Sequence, residues 1–261
     1  MPMSTFKHKI LTLLLLLCFS SLPLSAKNDH NLTDAQLNAF LGIITNFILS
    51  DEAAPVSPDV QDITHNGTTY GFVTSPYTGK VWLDRNLGAA RVCEQFDDSA
   101  CYGDYYQWGR NFDGHEDSMS ATIATEATDV NTAGSDFITG NSDWASVDAS
   151  GATRATNWSK TDGSSVCPVG YRVPSITELR AETLDNGVTN RDTAFANFLK
   201  LPSAGDRINF NGSIHDVGYW GYVWSSSASG SGASYLFFDS DDAYWLSYPR
   251  PDGLSVRCLR D

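Results

Sequence analysis

The sequence predicts an α+β domain of short antiparallel strands, two helices and long loops, closed by two disulfides. Three observations predict this class. Short β-prone runs are bounded by turn residues, two segments carry helix-capping signals, and four cysteines follow a signal-like N-terminus.

Residues 1–26 have the three-part layout of a secretory signal peptide. Lys7 belongs to a short basic start, residues 10–19 are almost entirely apolar, and small residues lead to a cleavage position after Ala26. The apolar run is shorter than the roughly 20 residues that span a bilayer, which favours a cleaved signal over a membrane anchor. Lipid attachment at Cys18 is disfavoured because a leucine precedes it. The sequence therefore predicts a secreted, periplasmic or cell-surface protein without stable membrane insertion.

The chain is acidic, with 17 Lys and Arg against 31 Asp and Glu and a formal net charge of −14. Nucleic acids and anionic lipids are bound through clustered basic side chains, so this balance argues against both as partners. No cofactor is predicted apart from calcium, with which an acidic surface is compatible.

Four cysteines follow the signal peptide: Cys93, Cys101, Cys167 and Cys258. An even number in an exported protein indicates disulfides, and four cysteines allow three pairings. The close spacing of Cys93 and Cys101 favours a local loop, which leaves Cys167 with Cys258. Zinc is the alternative, but no CxxC or histidine-rich spacing supports it.

An amphipathic helix is predicted within residues 27–50. Thr33 and Gln36 fit a capping box, and apolar residues then recur at helical spacing. The apolar stripe suits packing on the chain's own domain, which is slightly favoured, or self-association through residues 32–50. Residues 51–61 are acidic and contain prolines, which indicates a linker.

The globular domain is predicted to cover residues 62–261 and to begin with a hairpin. Residues 68–74 and 81–84 are β-prone, and the turn between them contains Pro76 and Gly79.

Residues 117–165 are dominated by Ser, Thr, Ala, Asp and Gly, which predicts a long loop region with little regular structure. Such loops are either functional or tolerated insertions. Trp144 and Trp158 indicate that this segment is pinned to the core.

Two helices are predicted after Cys167. Ser175 and Glu178 form a capping box that begins a helix of about ten residues, and a second helix covers residues 192–199. Four short β runs follow, at residues 219–224, 234–238, 243–247 and 254–259.

Five strings occur in the domain in a fixed order: VWLDRNLGA (81–89), GDYYQWGR (103–110), CPVGYRVPSITEL (167–179), YVWSSS (222–227) and SVRCLRD (255–261). Together they resemble the Fibrobacter succinogenes major paralogous (FISUMP) domain family, over residues 62–261. That family is similar in turn to the C-type-lectin-like and formylglycine-generating-enzyme fold. GYRVPSITELRAE resembles the strand–helix element GxRLPTExEWE of that enzyme group.

The resemblance implies a C-type-lectin-like fold and an exported bacterial protein, and it implies no activity. A bond between Cys167 and Cys258 would join the turn before the helix to the last strand, as C-type-lectin-like domains often do. Formylglycine-generating oxidases need two closely spaced cysteines near the C-terminus as copper ligands. Cys258 alone lies near the C-terminus here, which argues against that chemistry.

No catalytic residues are predicted. The histidines are scattered, and the Gly-x-Ser-x-Gly string of α/β-hydrolases is absent. His115, beside Asp113, Glu116 and Asp117, has the residue types of a metal site, but a solvated acidic loop is the favoured interpretation.

A calcium site is weakly indicated by Asp239, Asp241 and Asp242, which offer the oxygen ligands that hard cations prefer. Their spacing is not that of an EF-hand, and a plain turn accounts for them equally well. Sugar-binding C-type lectins use Glu-Pro-Asn or Gln-Pro-Asp together with Trp-Asn-Asp. Both strings are absent, so that site is not predicted.

The candidate ligand-binding site is aromatic and is assigned to Tyr244, Trp245, Tyr248, Trp220 and Trp224. Such rings stack on sugars or anchor a protein partner, although they also build cores. On a period of two, Tyr244 and Leu246 share one face of a strand, and Trp245 and Ser247 share the other. One of these faces is predicted to be exposed beside the acidic turn at residues 239–242.

These observations predict a secreted, non-catalytic binding or adhesion domain that recognises an extracellular glycan or a cell-surface protein. The alternative is a structural component of an extracellular assembly, joined through residues 32–50. An enzyme of unknown reaction is the third hypothesis.

Overall fold

A computed structural model describes residues 62–261 of the protein. The predicted signal peptide (1–26), amphipathic helix (27–50) and linker (51–61) lie outside the described residues. Within the described part of the chain, no helix has the length and apolar character needed to cross a membrane.

The described chain contains many short strands and few helices. The helices are α1 (Ala152–Trp158), α2 (Ile176–Glu182) and α3 (Arg191–Ala196). The strands are β1 (Ile63–His65), β2 (Thr68–Tyr70), β3 (Phe72–Thr74), β4 (Val81–Leu83), β5 (Tyr106–Gln107), β6 (Thr122–Ile123), β7 (Phe137–Ile138), β8 (Tyr171–Arg172), β9 (Asp206–Arg207), β10 (Ile214–His215), β11 (Gly221–Ser229), β12 (Gly232–Phe238), β13 (Ala243–Pro249), β14 (Gly253–Leu254) and β15 (Leu259–Arg260).

The strands of residues 62–261 form small sheets with the orders β1-β2, β3-β4-β15-β8, β10-β9-β14-β5, β11-β12-β13 and β6-β7. Among these strands every pairing is antiparallel except that of β6 with β7. The predicted α+β class with short antiparallel strands is confirmed.

The predicted opening hairpin forms, but its first strand is divided. β3 pairs with β4, with Val73 opposite Trp82, whereas β2 pairs with β1. The division falls at Gly71, where an added Cβ would lie 2.8 Å from the carboxylate of Asp84. A side chain at residue 71 would therefore require the Asp84 carboxylate to move.

The number of helices differs from the prediction, because α1 lies in the segment that was predicted to be irregular. Gly151 precedes α1 with φ of 76°, a conformation that favours glycine. Asp148 accepts hydrogen bonds from the backbone N–H groups of Thr153 and Arg154, so the first turn is capped from outside the usual N-cap position. This cap has no contiguous sequence signature.

The two predicted helices are present and somewhat shorter than expected. Ser175 and Glu178 exchange the two hydrogen bonds of a capping box at the start of α2, as predicted. Asn190 and Thr193 make the equivalent bonds at the start of α3. These paired bonds satisfy N–H groups that a helix terminus otherwise leaves without partners.

The β11-β12-β13 sheet separates two hydrophobic clusters. Trp224 and Tyr235 pack on one side with the larger cluster, and Val223 and Leu236 pack on the other. Successive side chains of a strand point to opposite faces, so this sheet buries apolar surface on both sides.

The segment 117–165 is pinned to the core, as Trp144 and Trp158 predicted, because both rings are fully buried. Asp143 also organises the segment. Its carboxylate accepts hydrogen bonds from Arg154 at 2.6 and 2.8 Å and from Arg250 at 3.2 Å. Asp148 also pairs with Arg154, at 3.2 Å. Both guanidinium groups of this ion cluster are fully buried, whereas the Asp143 side chain is 17% exposed.

Buried arginines also hold loops through backbone carbonyls. The guanidinium of Arg207 donates to the carbonyls of His115, Asp117, Ser120 and Gly212. That of Arg250 donates to the carbonyls of Ala149, Ser150, Gly230 and Gly232. In these loops the arginine N–H groups therefore satisfy backbone carbonyls that have no partner strand.

The predicted disulfide framework is confirmed. Cys93 is bonded to Cys101 across 8 residues, and Cys167 is bonded to Cys258 across 91 residues. Cys167 and Cys258 are both fully buried in the larger hydrophobic cluster. The second disulfide therefore crosses the core and links the chain before α2 to the C-terminal strands.

Candidate functional site

An aromatic face is partly exposed on one side of the β11-β12-β13 sheet. It consists of Trp220, Phe237, Tyr244 and Leu246. The rings of Phe237 and Tyr244 stack with centroids 4.8 Å apart, and Trp220 packs edge-on against Phe237 at 5.6 Å. Phe237 is buried, whereas Trp220 and Tyr244 are 40% and 39% exposed. Two open rings therefore flank a buried one, and Leu246 extends the surface.

The aromatic face continues inward through three tyrosines. The ring of Tyr222 lies 5.3 Å from Phe237 and 5.9 Å from Tyr235, and Tyr248 lies 5.1 Å from Tyr235. Tyr222 and Tyr235 are buried, and Tyr248 is half-buried. Of the predicted ligand-binding residues, the structure thus brings together Trp220, Tyr244 and Tyr248.

Two residues of the predicted aromatic site lie elsewhere. Trp224 is fully buried, and its Nε1–H donates to the carbonyl of Tyr106 at 2.8 Å. It is a core residue, because its polar end is satisfied inside the domain. Trp245 points to the opposite face of β13, where it packs on the cluster that contains Leu236 and Phe238. Both tryptophans were predicted to bind a ligand because aromatic residue type alone does not show whether a ring is buried in the core or exposed at the surface.

The acidic turn between β12 and β13 is stabilised by its own side chain. Asp239 Oδ1 accepts hydrogen bonds of 2.8 Å from the backbone N–H groups of Asp241 and Asp242. Within residues 62–261, the grouping of carboxylates and histidine close enough to share an ion is elsewhere, at Asp113, His115 and Glu116. A turn therefore accounts for Asp239, and calcium binding here stays a prediction.

Two tyrosine hydroxyls behind the aromatic face reach buried or partly buried carboxylates. Tyr248 donates to Asp206 at 3.1 Å, and Tyr222 donates to Asp216 at 3.3 Å. Asp206 is 1% exposed, and its Oδ1 has no hydrogen-bond partner among the described residues. Burial raises the pKa of Asp206 to about 6. Burial, with repulsion from Asp206, raises the pKa of Asp252 to about 7.

These two carboxyl groups make the protein less stable as the pH rises from about 4 to about 7. Their pKa values are higher in the folded chain than the unfolded value of about 3.9, so the folded state binds more protons in this window. The variant Asp252→Asn removes one of these titrating groups but keeps the oxygen that accepts a hydrogen bond from the Asn209 N–H. We expect the free energy of unfolding of this variant to fall less steeply with pH, by up to about 1.4 kcal/mol per pH unit. Urea unfolding at several pH values measures this slope.

The exposed Asp241→Asn variant is the matched control, and its pH slope should equal that of the unmodified protein. An unchanged slope in Asp252→Asn would show that this group titrates alike in the folded and unfolded chains.

A cavity of about 370 Å³ opens on another part of the domain, and we call it the acidic cavity. Its lining residues come from the β1-β2 hairpin, the loop after β4 and the segment 104–117: His65, Asn66, Thr68, Tyr70, Leu87, Gly88, Asp104, Tyr106, Phe112, Gly114, Glu116 and Asp117. Among residues 62–261, lysine and arginine do not line it.

Asp104 is the most perturbed carboxyl group of the acidic cavity. Burial, with repulsion from Glu116, raises its pKa to about 7. Its carboxylate lies against the backbone of Gly88, where an added Cβ would be 2.1 Å away and φ is 77°. Only glycine fits this contact. Tyr106 Oη lies 3.4 Å from Asp104 Oδ2.

His115 and Glu116 are buried, which corrects the prediction of a solvated acidic loop. The Gln107 N–H donates to His115 Nε2 at 3.0 Å, so the ring proton is on Nδ1, which donates to Asp113 at 2.5 Å. Asp113 also pairs with the buried Arg110 at 3.0 Å. Ligand atoms 2.5 Å apart are too close for tetrahedral zinc, whose bonds of about 2.0 Å place ligands about 3.3 Å apart. This grouping is a hydrogen-bonded brace.

The brace sets the charge of Glu116. Burial would raise the pKa of Glu116, but hydrogen bonding with His115 and the backbone N–H of Gly114 hold it below its ordinary value. Glu116 is therefore the permanently ionised partner of Asp104 at neutral pH.

Sequence reasoning did not find Asp104. Its signal was local: an acidic residue between a glycine and the pair Tyr105 and Tyr106, inside a string used only for its family resemblance. Glu116 and Asp117, which face it, lie 12 and 13 residues further along the chain, and no spacing rule connects them with Asp104.

Comparison with protein-family models, curated proteins and solved structures finds no match for this chain.

Proposed function

We propose that the protein is an exported, non-catalytic binding domain that recognises an extracellular glycan through the aromatic face. The observation that carries the proposal is the exposure of Trp220 and Tyr244 on either side of the buried Phe237. Sugars present C–H groups that pack on aromatic rings, and such rings contribute binding energy beyond the area they bury. A rigid pair of rings braced by a third loses little conformational entropy on binding.

The polar groups beside the aromatic face suit the same ligand class. Asp216 accepts a hydrogen bond from Tyr222, and its remaining carboxylate oxygen is available to a sugar hydroxyl. The aromatic rings would stack on the sugar ring, and the carboxylate at the edge of the sheet would orient the sugar by a hydrogen bond. A cell-surface protein is the other partner that aromatic anchors fit.

The C-type-lectin-like fold and membership of the FISUMP family are part of this proposal. The disulfide between Cys167 and Cys258, which links the turn before α2 to the C-terminal strands, supports the fold. The same bond supports export, because disulfides persist in oxidising compartments. It also supports the absence of oxidase chemistry, since it leaves Cys258 without a free thiolate.

A glycan array followed by calorimetry with the best-bound glycan tests the proposal. We expect Trp220→Ala and Tyr244→Ala each to weaken binding about tenfold or more, the loss that removal of a central aromatic anchor causes. Tyr77→Ala is the matched control, because Tyr77 is similarly exposed but packs on Phe198 instead of the aromatic face. It should leave the affinity unchanged.

Trp245→Ala separates the two faces of β13. Because Trp245 packs on the opposite face, its loss should lower stability without changing the affinity of the folded protein. Binding that withstands both Trp220→Ala and Tyr244→Ala would contradict the proposal. Cell-surface binding that survives enzymatic removal of glycans would favour a protein partner.

A further inference from the structure

The acidic cavity concentrates negative charge without a counter-charge from its own walls. Asp104, Glu116 and Asp117 line it, whereas basic side chains among the described residues lie outside it. Arg85 stacks on the ring of Tyr70 at 5.4 Å and does not line the cavity. Arg110 interacts electrostatically with Glu116 and Arg207 with Asp117, but neither arginine lines the cavity. Low-dielectric walls strengthen the field of the carboxylates that do line it. The cavity is therefore electrostatically suited to a cation.

Glu116 supplies a second, independent observation. It is 97% buried, being 3% exposed, and it lines the acidic cavity. Its Oε2 accepts hydrogen bonds from the backbone N–H groups of Asp113 and Gly114, whereas Oε1 has no hydrogen-bond partner among residues 62–261. Oε1 is not among the fully buried unpaired side-chain atoms, so it is open to the cavity and can accept a hydrogen bond from a ligand.

The size and spacing of the acidic cavity favour an organic cation over a metal ion. Within the described residues, neither Asp104 nor Asp117 belongs to a group of three ligand atoms close enough to share one ion. A volume of about 370 Å³ lies in the range of cavities that hold small organic molecules. Tyr70, Tyr106 and Phe112 add aromatic surface, which attracts cations and packs against an apolar body.

We propose that the acidic cavity binds a small ligand carrying a protonated primary amine, with the ammonium group held between Glu116 and Asp104 and its organic body against Tyr70, Tyr106 and Phe112. A primary ammonium offers three N–H donors, which match Glu116 Oε1, the Asp104 carboxylate and a tyrosine hydroxyl. This site is separate from the aromatic face and does not depend on the function proposed for it.

Calorimetry with amines and their neutral counterparts tests the site. The probes are 2-phenylethylamine and cyclohexylamine, both protonated at pH 8, compared with 2-phenylethanol and cyclohexanol. We expect at least one amine to bind at pH 8 about tenfold or more tightly than its neutral counterpart, because only the amine pairs with the carboxylates.

Variants locate the binding. Glu116→Gln with Asp104→Asn should abolish amine binding, while the exposed Glu94→Gln should leave it unchanged. Near-UV circular dichroism checks that the double variant is folded. Trp220→Ala should also leave amine binding unchanged, which distinguishes this site from the aromatic face.

The pH dependence gives a further test. The groups that face Asp104 are the carboxylates of Glu116 and Asp117 and the hydroxyls of Tyr70 and Tyr106. Because a proton on Asp104 competes with the ammonium group, the Kd should rise about tenfold between pH 8 and pH 6.

His65 also lines the cavity, where its Nε2 donates to the carbonyl of Val166 at 2.8 Å. The variant Asp104→Asn tests whether Asp104 is the source of the pH dependence, most of which it should remove. Equal binding of amines and neutral counterparts, no binding of either amine, or stabilisation by calcium in place of amines would each overturn the proposal.

Discussion

Replacement of Cys167 and Cys258 by alanine should lower the free energy of unfolding by about 4 to 5 kcal/mol. The bond closes a loop across 91 residues, and the entropy that a cross-link removes from the unfolded chain grows with loop length. Both cysteines are fully buried, so the substitution also removes packed sulfur atoms from the core. Urea unfolding of the oxidised protein measures the loss.

The other disulfide provides the comparison. Cys93 and Cys101 close a loop across only 8 residues, so their joint replacement by alanine should cost about 2 to 3 kcal/mol. If both double substitutions lowered the free energy of unfolding equally, loop length would not determine the effect. The Cys167–Cys258 bond would then not stabilise the protein chiefly by restricting the unfolded chain.

Asp143→Ala should destabilise the protein by about 3 to 5 kcal/mol. The carboxylate pairs with Arg154 and Arg250, whose side chains are both fully buried, and Asp148 pairs with Arg154 but not with Arg250. Removing one member of a buried ion cluster leaves uncompensated charge in the interior, which costs more than the pair itself contributes. Thermal and urea unfolding both report this change.

A surface pair provides the control for Asp143. Asp185 lies 2.8 Å from Arg180, and both side chains are about half exposed. Asp185→Ala should therefore change stability by less than about 1 kcal/mol. A similarly small effect of Asp143→Ala would mean that solvent or Asp148 compensates the two arginines.

The sequence predicted those parts of the fold that depend on local signals. The capping box of Ser175 and Glu178, the β3-β4 hairpin and the disulfide pairing all depend on residues whose spacing has a direct physical meaning. Helix α1 was missed because its cap, Asp148, lies four residues before it and acts across a turn. Tertiary contacts of this kind leave no periodic pattern.

The candidate sites were only partly predictable for a related reason. The period of two placed Tyr244 and Trp245 on opposite faces, but it could not say which face is covered. Trp224 entered the predicted site although it is a core residue. The acidic cavity was not predicted, because the segment 104–117, which contains Asp104 and Glu116, forms it only together with the β1-β2 hairpin and the loop after β4.

The arginine side chains that bind backbone carbonyls allow the loop sequences of this domain to vary. Arg207 and Arg250 each hold their loops by main-chain oxygens, which every amino acid supplies. Substitution of loop side chains therefore leaves these anchors intact. The domain can accumulate variation in its loops, and alter what they recognise, while the positions of the loop backbones are preserved.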